Sequence, residues 1–497
     1  MTETTYPQWI TRIQTHKDTR GVIFVAIAVG VCWAVGKAIA EHDFGVPLMV
    51  VALGLFALLF FKRESILWMA PAAMCVPNFG LDIPGPWAVS VEDAFVLVTI
   101  AAVMSRNILS RRPLVPRGDA VLGPMSVFWG IAVVSMIKVF SISPHSTMYV
   151  LKDLIRLTWL FLFYIVMIES LQTKDQVMRL MRALIVLAVP MALVSWYIYL
   201  TESPFFYYIL TMKPAYIYYK RNFLRMISIA GSTSFTGLYY AAMLALAVTY
   251  PGLQRTKLTR LVRAAVILLI ASCLVATLNR GTWVGVMFGT AMLILTGQMG
   301  WRKITVVGFL LTGIALLSAT YVFSEMDVAG KLNVVVEVSR SSGTARLVRW
   351  ISAVNVMLEQ PLMGVGYNNY AFVYGRYSIE EGITRIYGSP HNMYIDVITG
   401  TGIIGFTAFI AFLSRLWKRH TANLRIAADP EIRSMAVGLF MAWTFFLGAS
   451  FFDSFLFKPH HTTFIMVMLW AMTTALYRIN LHHLRESEAK TADTVAA

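Results

Sequence analysis

The stretch Val121–Phe140 reads VLGPMSVFWGIAVVSMIKVF, twenty residues with a single charged side chain. A helix of this length extends about 30 Å, which matches the hydrocarbon core of a lipid bilayer. Comparable apolar runs recur along the chain, for example at Gly21–Ile39, Ala264–Thr277 and Ile304–Phe323. Because backbone polar groups inside a bilayer must pair within their own segment, we predict an all-α fold, a polytopic transmembrane helix bundle.

The composition excludes an ordinary soluble protein. Of 497 residues, 58% are hydrophobic and only 14% are charged, against about 25% charged in typical soluble domains. The formal net charge of +16 could suggest a nucleic-acid partner, but lysine and arginine fall mainly in short connections between apolar runs, which is typical of orientation signals. Cys32, Cys75 and Cys273 lack a partner at metal-ligand or redox spacing, so we expect neither a disulfide framework nor a zinc site.

The apolar runs predict about fourteen membrane spans by the spanning-length rule. They lie near residues 21–40, 45–61, 65–79, 88–105, 121–140, 150–170, 183–201, 231–250, 262–278, 282–298, 303–323, 391–414, 433–452 and 459–478. The run at 65–79 is the weakest, because Pro71 and Pro77 interrupt it. If it forms a re-entrant pair with a neighbour, the total is about twelve.

Basic residues concentrate in alternate connections, such as 106–117 and 415–425, which the positive-inside rule assigns to the cytoplasm. This predicts cytoplasmic tails at 1–20 and 479–497 and transmembrane helices within 21–323 and 391–478. It leaves two long outward connections, residues 202–230 and 324–390, and long connections commonly carry function. The second should contain a helix from about Gly343 to Glu359, whereas the small, polar residues after Glu486 predict disorder.

Three outward segments carry residues suited to chemistry. Arg225, with Arg221, precedes the eighth span; Arg280 lies at the outer junction of two spans; and His391-Asn392 lies at the outer mouth of the twelfth. The positive-inside rule disfavours arginine on this face, so each arginine here requires a reason.

These residue types favour glycosyl transfer from a diphosphate. An arginine presents a planar fork of donors that matches phosphate oxygens and stabilises charge on a leaving diphosphate. A histidine can accept the proton of an attacking hydroxyl near neutral pH. Gly281 allows close approach beside Arg280, and Pro390 sets the entry angle of a helix that we predict to begin at His391.

Structural interpretations compete with each of these assignments. An arginine at a helix end commonly extends to lipid phosphate. The turn Gly364-Val365-Gly366 lacks a preceding strand and a third glycine in register, so it predicts loop closure rather than dinucleotide binding. Asp396 points off the helical face of His391 and should pair with Asn392 or with another helix, and Asp453, in a short outward link, should be solvated.

The order of five short motifs resembles the O-antigen ligase family. They are Asn279-Arg280-Gly281-Thr282, Gly343-Thr344-Ala345-Arg346, the stretch PLMGVGYNNY at 361–370, Pro390-His391-Asn392-Met393-Tyr394, and GTGIIG at 400–405. The resemblance covers about residues 225–415. The first two hundred residues match only as a series of membrane helices.

The resemblance implies a metal-independent transferase, without a cofactor, in the bacterial inner membrane. Such enzymes accept a glycan on undecaprenyl diphosphate at the periplasmic face and pass it to an acceptor hydroxyl during synthesis of envelope polysaccharides such as lipopolysaccharide or exopolysaccharide. By motif position, His391 would be the catalytic base, and Arg225, Arg280 and Arg346 would bind the diphosphate. Supporting positions would be Arg221, Asn392, Gly281, Gly364 and Gly366.

The acceptor stays open, since lipid A-core, another repeat unit, a protein side chain and a wall polymer all carry hydroxyls. A repeat-unit polymerase of the same family is an alternative to a ligase. A transporter of lipid-linked sugars and a scaffold subunit without chemistry are alternatives of other classes. Transporters usually hold coupling charges near the bilayer midplane, whereas the notable charges here cluster at the outer mouth.

Overall fold

The computed structural model describes residues 45–75, 80–82, 88–113, 119–202, 219–220, 223–228, 232–253, 256–298, 342–378, 390–456 and 461–496. The helices within these ranges are α1 (Gly45–Phe61), α2 (Ile66–Ala73), α3 (Val91–Leu109), α4 (Leu122–Val134), α5 (Met136–Ile142), α6 (Thr147–Ser170), α7 (Lys174–Thr201), α8 (Thr233–Thr249), α9 (Lys257–Ala276), α10 (Arg280–Leu295), α11 (Ser342–Glu359), α12 (Tyr370–Tyr377), α13 (Met393–Ile426), α14 (Pro430–Ala449) and α15 (His461–Ala496). Two short antiparallel hairpins pair β1 (Gly80–Asp82) with β2 (Ala88–Ser90), and β3 (Tyr219–Lys220) with β4 (Phe223–Leu224).

Six helical segments among the described residues are long and apolar enough to cross a membrane, which confirms a polytopic helical membrane protein. They are Leu122–Ile142, Lys174–Thr201, Lys257–Ala276, Met393–Ile426, Pro430–Ala449 and Thr462–Ala489. The predicted spans at 21–40 and 303–323 lie outside the described residues. The total of twelve to fourteen spans therefore stays a prediction.

Helix bounds depart from the sequence-based expectation in three places. Within the run 65–79, the described helix covers only Ile66–Ala73. The run 121–140 is divided at Ser135, whose hydroxyl donates to the Ala132 carbonyl. The expectation of disorder after Glu486 is wrong, because α15 continues to Ala496, where alanine, glutamate and lysine are all good helix formers.

The helices α14 and α15 lie at the centre of the bundle. In the most apolar 18-residue stretch of each, 72% and 78% is buried, against 17% in the peripheral α9. Trp443 on α14 stacks on Phe446 and meets Trp470 of α15 edge-on, with ring centroids 5.4 and 5.7 Å away. On α10, a Cβ atom added at Gly285 would lie 2.6 Å from the Phe445 carbonyl oxygen. Small residues therefore let α10 approach the central helix closely.

Helix α13 is broken at Gly402, where φ is 65° and ψ is −170°. The turn at 361–366 packs into this break, and backbone hydrogen bonds of 2.9–3.0 Å join the two segments. These bonds run from Val365 N to Thr399 O, from Gly366 N to Gly400 O, and from Ile403 N to Pro361 O. Two sequence motifs, PLMGVG and GTGIIG, thus form one structural unit.

The loop after this turn is tied to α4, α5 and α6. The Asn369 side chain is fully buried and bonds to the hydroxyls of Ser143 and Ser146, at 2.7 and 2.8 Å. The backbone N–H of Tyr367 donates to Ser135 Oγ at 2.9 Å. The predicted helix near Gly343–Glu359 is confirmed as α11, and these bonds hold the segment that follows it against the bundle.

We expect Gly402→Ala to lower the free energy of unfolding by about 2 kcal/mol or more. An alanine would need a left-handed φ, and its Cβ would overlap the Leu362 carbonyl group. Thermal unfolding of the purified protein in detergent measures the loss. Gly130→Ala on α4 is the matched control, since nothing lies within 4 Å of its added Cβ. Equal unfolding temperatures for the two variants would contradict the proposed packing of 361–366 against α13.

Candidate functional site

Helix ends from three parts of the chain meet at one end of the bundle, which we call the site end. The first residue of α13, Met393, donates its N–H to the Ser450 carbonyl in the link between α14 and α15, at 2.9 Å. The indole of Trp350 on α11 donates to the Pro390 carbonyl at 3.0 Å. These bonds place α11, the start of α13 and the α14–α15 link around a common point.

His391 lies just before α13, in a strained backbone conformation. Its φ of 54° is left-handed, which costs about 1–2 kcal/mol in a non-glycine residue. The prediction that the helix begins at His391 is wrong by two residues. Asn392 is the N-cap, and its side-chain oxygen accepts from the N–H groups of Tyr394 and Ile395, at 3.0 and 3.2 Å. Asparagine is a better N-cap than histidine, so the helix starts after Asn392 and His391 lies outside it.

The imidazole of His391 pairs with Asp453 in the α14–α15 link, with 3.3 Å between Nδ1 and Oδ1. The two side chains are 30% and 12% exposed, so the expectation that Asp453 is simply solvated is wrong. When Nδ1–H donates to the carboxylate, the lone pair resides on Nε2, the arrangement required of a general base. Sequence reasoning missed this partner, because 62 residues separate the two side chains.

Asp396, in the first turn of α13, also bonds to the link between α14 and α15. Its carboxylate accepts from the Ser454 hydroxyl and is 4% exposed. This partner lies in the link between α14 and α15, whereas the sequence-based expectation named Asn392 or another helix. Bonds at Met393, Asp396 and His391 together fix the link against the first turn of α13.

Arg225 lies against the end of α9. Its Nε and Nη2 donate to the carbonyl oxygens of Thr277 and Leu278, at 3.3 and 3.2 Å, as cations do at helix C-termini. Leu278 has a left-handed φ of 49°, and this turn leads into Asn279, the N-cap of α10. Arg225 is thereby held beside Arg280, the first residue of α10.

Arg346 connects the arginines with the histidine pair. Burial lowers the pKa of its guanidinium, and the neighbouring Arg280 and Arg349 lower it further, whereas the Asp453 carboxylate raises it. Arg346 lies one helical turn before Trp350, whose indole bonds to the carbonyl of the residue before His391, so it lies at the same end of the bundle as the histidine pair. Arg280 itself is exposed at the start of α10. Positive charges gathered at a partly buried position favour an anionic ligand.

The predicted supporting residues separate into two groups. A Cβ atom at Gly281 would lie 2.6 Å from Cβ of Phe452, so this glycine allows α10 to approach the link that carries Asp453. Gly364 and Gly366 have φ values of 64° and 106° and lie in the turn that packs into α13, which gives them a packing role. Arg221 lies outside the described residues.

An apolar groove of about 420 Å³ runs between α11 and α13. Its lining consists of Trp350, Ile351, Ala353, Val354, Met357, Tyr394, Ile395, Ile398 and Phe406. Trp350 follows Arg346 by one helical turn and bonds to the residue before His391. The groove therefore adjoins the arginines and the histidine. The sequence shows these apolar residues on two helices but does not show that the helices face each other.

Comparison with known protein families matches residues 264–410 to the O-antigen ligase family. The matched segment contains Arg280, Arg346 and His391, whereas Arg225 and Asp453 lie outside it. No curated protein matches the chain significantly. The family match confirms the resemblance drawn from the motifs. The apolar helices indicate a multi-pass membrane protein.

Asn279 should be a main contributor to the local stability of the site. Its Oδ1 accepts from Thr282 N at 2.9 Å, and its Nδ2 donates to Ser234 Oγ at 2.8 Å. We expect Asn279→Ala to lower the free energy of unfolding by about 1–2 kcal/mol, with a smaller loss for Asn279→Ser, which can still cap α10. Thermal unfolding of both purified variants tests this, and an equal loss would exclude the capping role.

Proposed function

Because residues 264–410 match the O-antigen ligase family, we propose that this chain is a glycosyltransferase that moves a glycan from undecaprenyl diphosphate to an acceptor hydroxyl. One observation supports this most strongly. Arg280 precedes Gly281, which packs on Phe452 next to Asp453, and Arg346 lies one turn before Trp350, which bonds to the residue before His391, so the arginines, the His391–Asp453 pair and the apolar groove lie at the same end of the bundle. A diphosphate, a hydroxyl to be deprotonated and a polyprenyl chain would each meet a suitable surface there.

The proposed reaction is a single displacement. The acceptor oxygen attacks the anomeric carbon of the donor sugar and loses its proton to Nε2 of His391. The bond between that carbon and the diphosphate oxygen breaks, and its electron pair leaves with the lipid diphosphate. Asp453 orients the imidazole and stabilises the imidazolium that forms. One displacement inverts the configuration at the anomeric carbon.

Arginine side chains would supply the positive charge that the leaving diphosphate needs. Arg280 and Arg346 would contact its oxygens, with Arg225 held against the turn that leads from α9 to Arg280. The proposed reaction needs no metal ion, because the arginines would carry the positive charge.

The distribution of charge supports a periplasmic site. Helix α13 runs from the site end at Met393 to the opposite end at Ile426, and its last turns carry Arg415, Arg419 and Arg425. The same opposite end holds Lys174, which pairs with Asp429. The positive-inside rule assigns such an end to the cytoplasm. The site would then face the periplasm, where acceptors such as lipid A-core or another repeat unit lie.

We expect His391→Ala to reduce transfer by a factor of about a hundred or more, because the acceptor loses its general base. The protein is reconstituted in liposomes with lipid-linked glycan and glycolipid acceptor extracted from the producing membranes, and the product is followed by gel and by NMR of its anomeric configuration. His482→Ala, on the exposed part of α15, is the control and should not alter turnover. Unchanged transfer by His391→Ala would remove this residue from the mechanism. Product length separates ligation from polymerisation.

A second variant tests the groove as the site of the donor chain. Val354→Trp would fill it, and we expect about a tenfold rise in KM for the full-length polyprenyl donor, since several methylene groups lose their contacts. KM for a donor with a shortened chain should change little. Leu358→Trp, one turn further on α11 and outside the groove, is the control. An equal effect on both donors would argue against chain binding at this position.

A further inference from the structure

A second group of polar side chains lies near the start of α6. We call it the second polar cluster; it consists of Asp93, Lys152, Asp153, Arg156 and Asn368. Arg156 pairs with Asp93, with 3.1 Å between Nη2 and Oδ2, and Asn368 donates its amide to Asp153 Oδ2 at 2.6 Å. With two carboxylates, two cations and an amide, its charges balance, unlike those of the arginine cluster.

The loop that carries Asn368 holds its amide in place. Asn368 has a left-handed φ of 52°, a conformation that asparagine tolerates better than most residues. The next residue, Asn369, is fully buried and bonded to Ser143 and Ser146. The amide of Asn368 is therefore directed at Asp153 by a rigid backbone.

Aromatic rings adjoin this cluster; Tyr149 and His145 are exposed and Phe372 is half-buried. The ring of Phe372 on α12 lies 5.5 Å from Tyr149 and 6.5 Å from His145. Tyr149 is 51% exposed and precedes Asp153 by one helical turn, so the two side chains share a face of α6. Sugar hydroxyls bond to carboxylates and amides, and the apolar faces of sugar rings pack on aromatic rings.

The second polar cluster lies next to α13, which carries Asp396. A Cβ atom added at Gly400, one helical turn after Asp396, would lie 3.3 Å from Asn368 N and 3.4 Å from Tyr367 Cα. Asp396 in turn bonds to Ser454, the neighbour of Asp453. The arginines approach the catalytic pair from α10 and α11, whereas the second polar cluster approaches it from α6.

We propose that the second polar cluster, with the rings of Tyr149, Phe372 and His145, binds sugar residues of the acceptor glycan. The inference rests on the proposed transferase function. If the diphosphate lies among the arginines, the acceptor must reach His391 from another direction, because attack occurs opposite the leaving group. A charge-balanced surface fits a neutral, hydroxyl-rich chain better than a phosphate.

Acceptor kinetics in the reconstituted system test this subsite. Asp153→Asn keeps an oxygen for Asn368 but loses the carboxylate, and Phe372→Leu removes the central ring. We expect each to raise KM for the glycolipid acceptor about tenfold, the loss of one good contact, with KM for the lipid-linked donor unchanged. Met148→Leu is the control, on the same turn of α6 and 46% exposed. An unchanged acceptor KM in both variants, or equal changes for donor and acceptor, would overturn the subsite.

A binding measurement that needs no turnover separates the two proposals. Oligosaccharide released from the acceptor by mild acid is titrated against the liposome-reconstituted protein and followed by saturation-transfer NMR. Binding that Asp153→Asn and Phe372→Leu weaken about tenfold supports the subsite even if no transfer is detected, in which case only the transferase proposal fails. If neither variant changes oligosaccharide binding or the acceptor KM while the wild type shows normal transfer, the subsite proposal is wrong and the transferase proposal stands.

Discussion

The site depends on the backbone hydrogen bonds that join the turn at 361–366 to the break in α13. Arg346 and Trp350 lie on α11, which ends immediately before this turn, and His391 lies immediately before α13. Together with the bond from the Trp350 indole to the Pro390 carbonyl, the crossing holds α11 and its arginine against the start of α13. The glycines there let two backbones approach within hydrogen-bonding distance in the low-dielectric interior, where an unpaired peptide group is costly.

Backbone strain is concentrated where the site residues are presented. Leu278 and His391 both have left-handed φ values, and each lies directly before an asparagine that caps a helix. The caps at Asn279 and Asn392 contribute stabilisation of similar size to the cost of such strain. The chain can therefore turn sharply into α10 and α13 while the side chains of Arg280 and His391 remain at the surface of the bundle, where a ligand can reach them.

The sequence predicted the membrane helices and the principal charged residues, because both follow from local rules. Long apolar runs specify spans, and Arg225, Arg280 and His391 stood out as polar residues on a face that should have few cations. Partners distant in sequence were not predictable. Asp453 pairs with His391 only because Gly281 lets α10 approach Phe452 and the link is tied to α13, and neither contact has a periodic signal.

The site end has two halves that differ in net charge. The half formed by α10, α11 and the groove places cationic side chains beside apolar ones, which suits the lipid diphosphate of the proposed donor. The half formed by α6 and α12 is charge-balanced and aromatic, and nothing in the donor's chemistry requires it. Under the proposed function the leaving group constrains only the first half, so differences in acceptor would be encoded in the second. Of that second half, α6 lies outside the segment that matches the family, whereas Asn368 and Phe372 lie inside it. The choice between ligation and polymerisation would then depend on side chains from both parts of the chain.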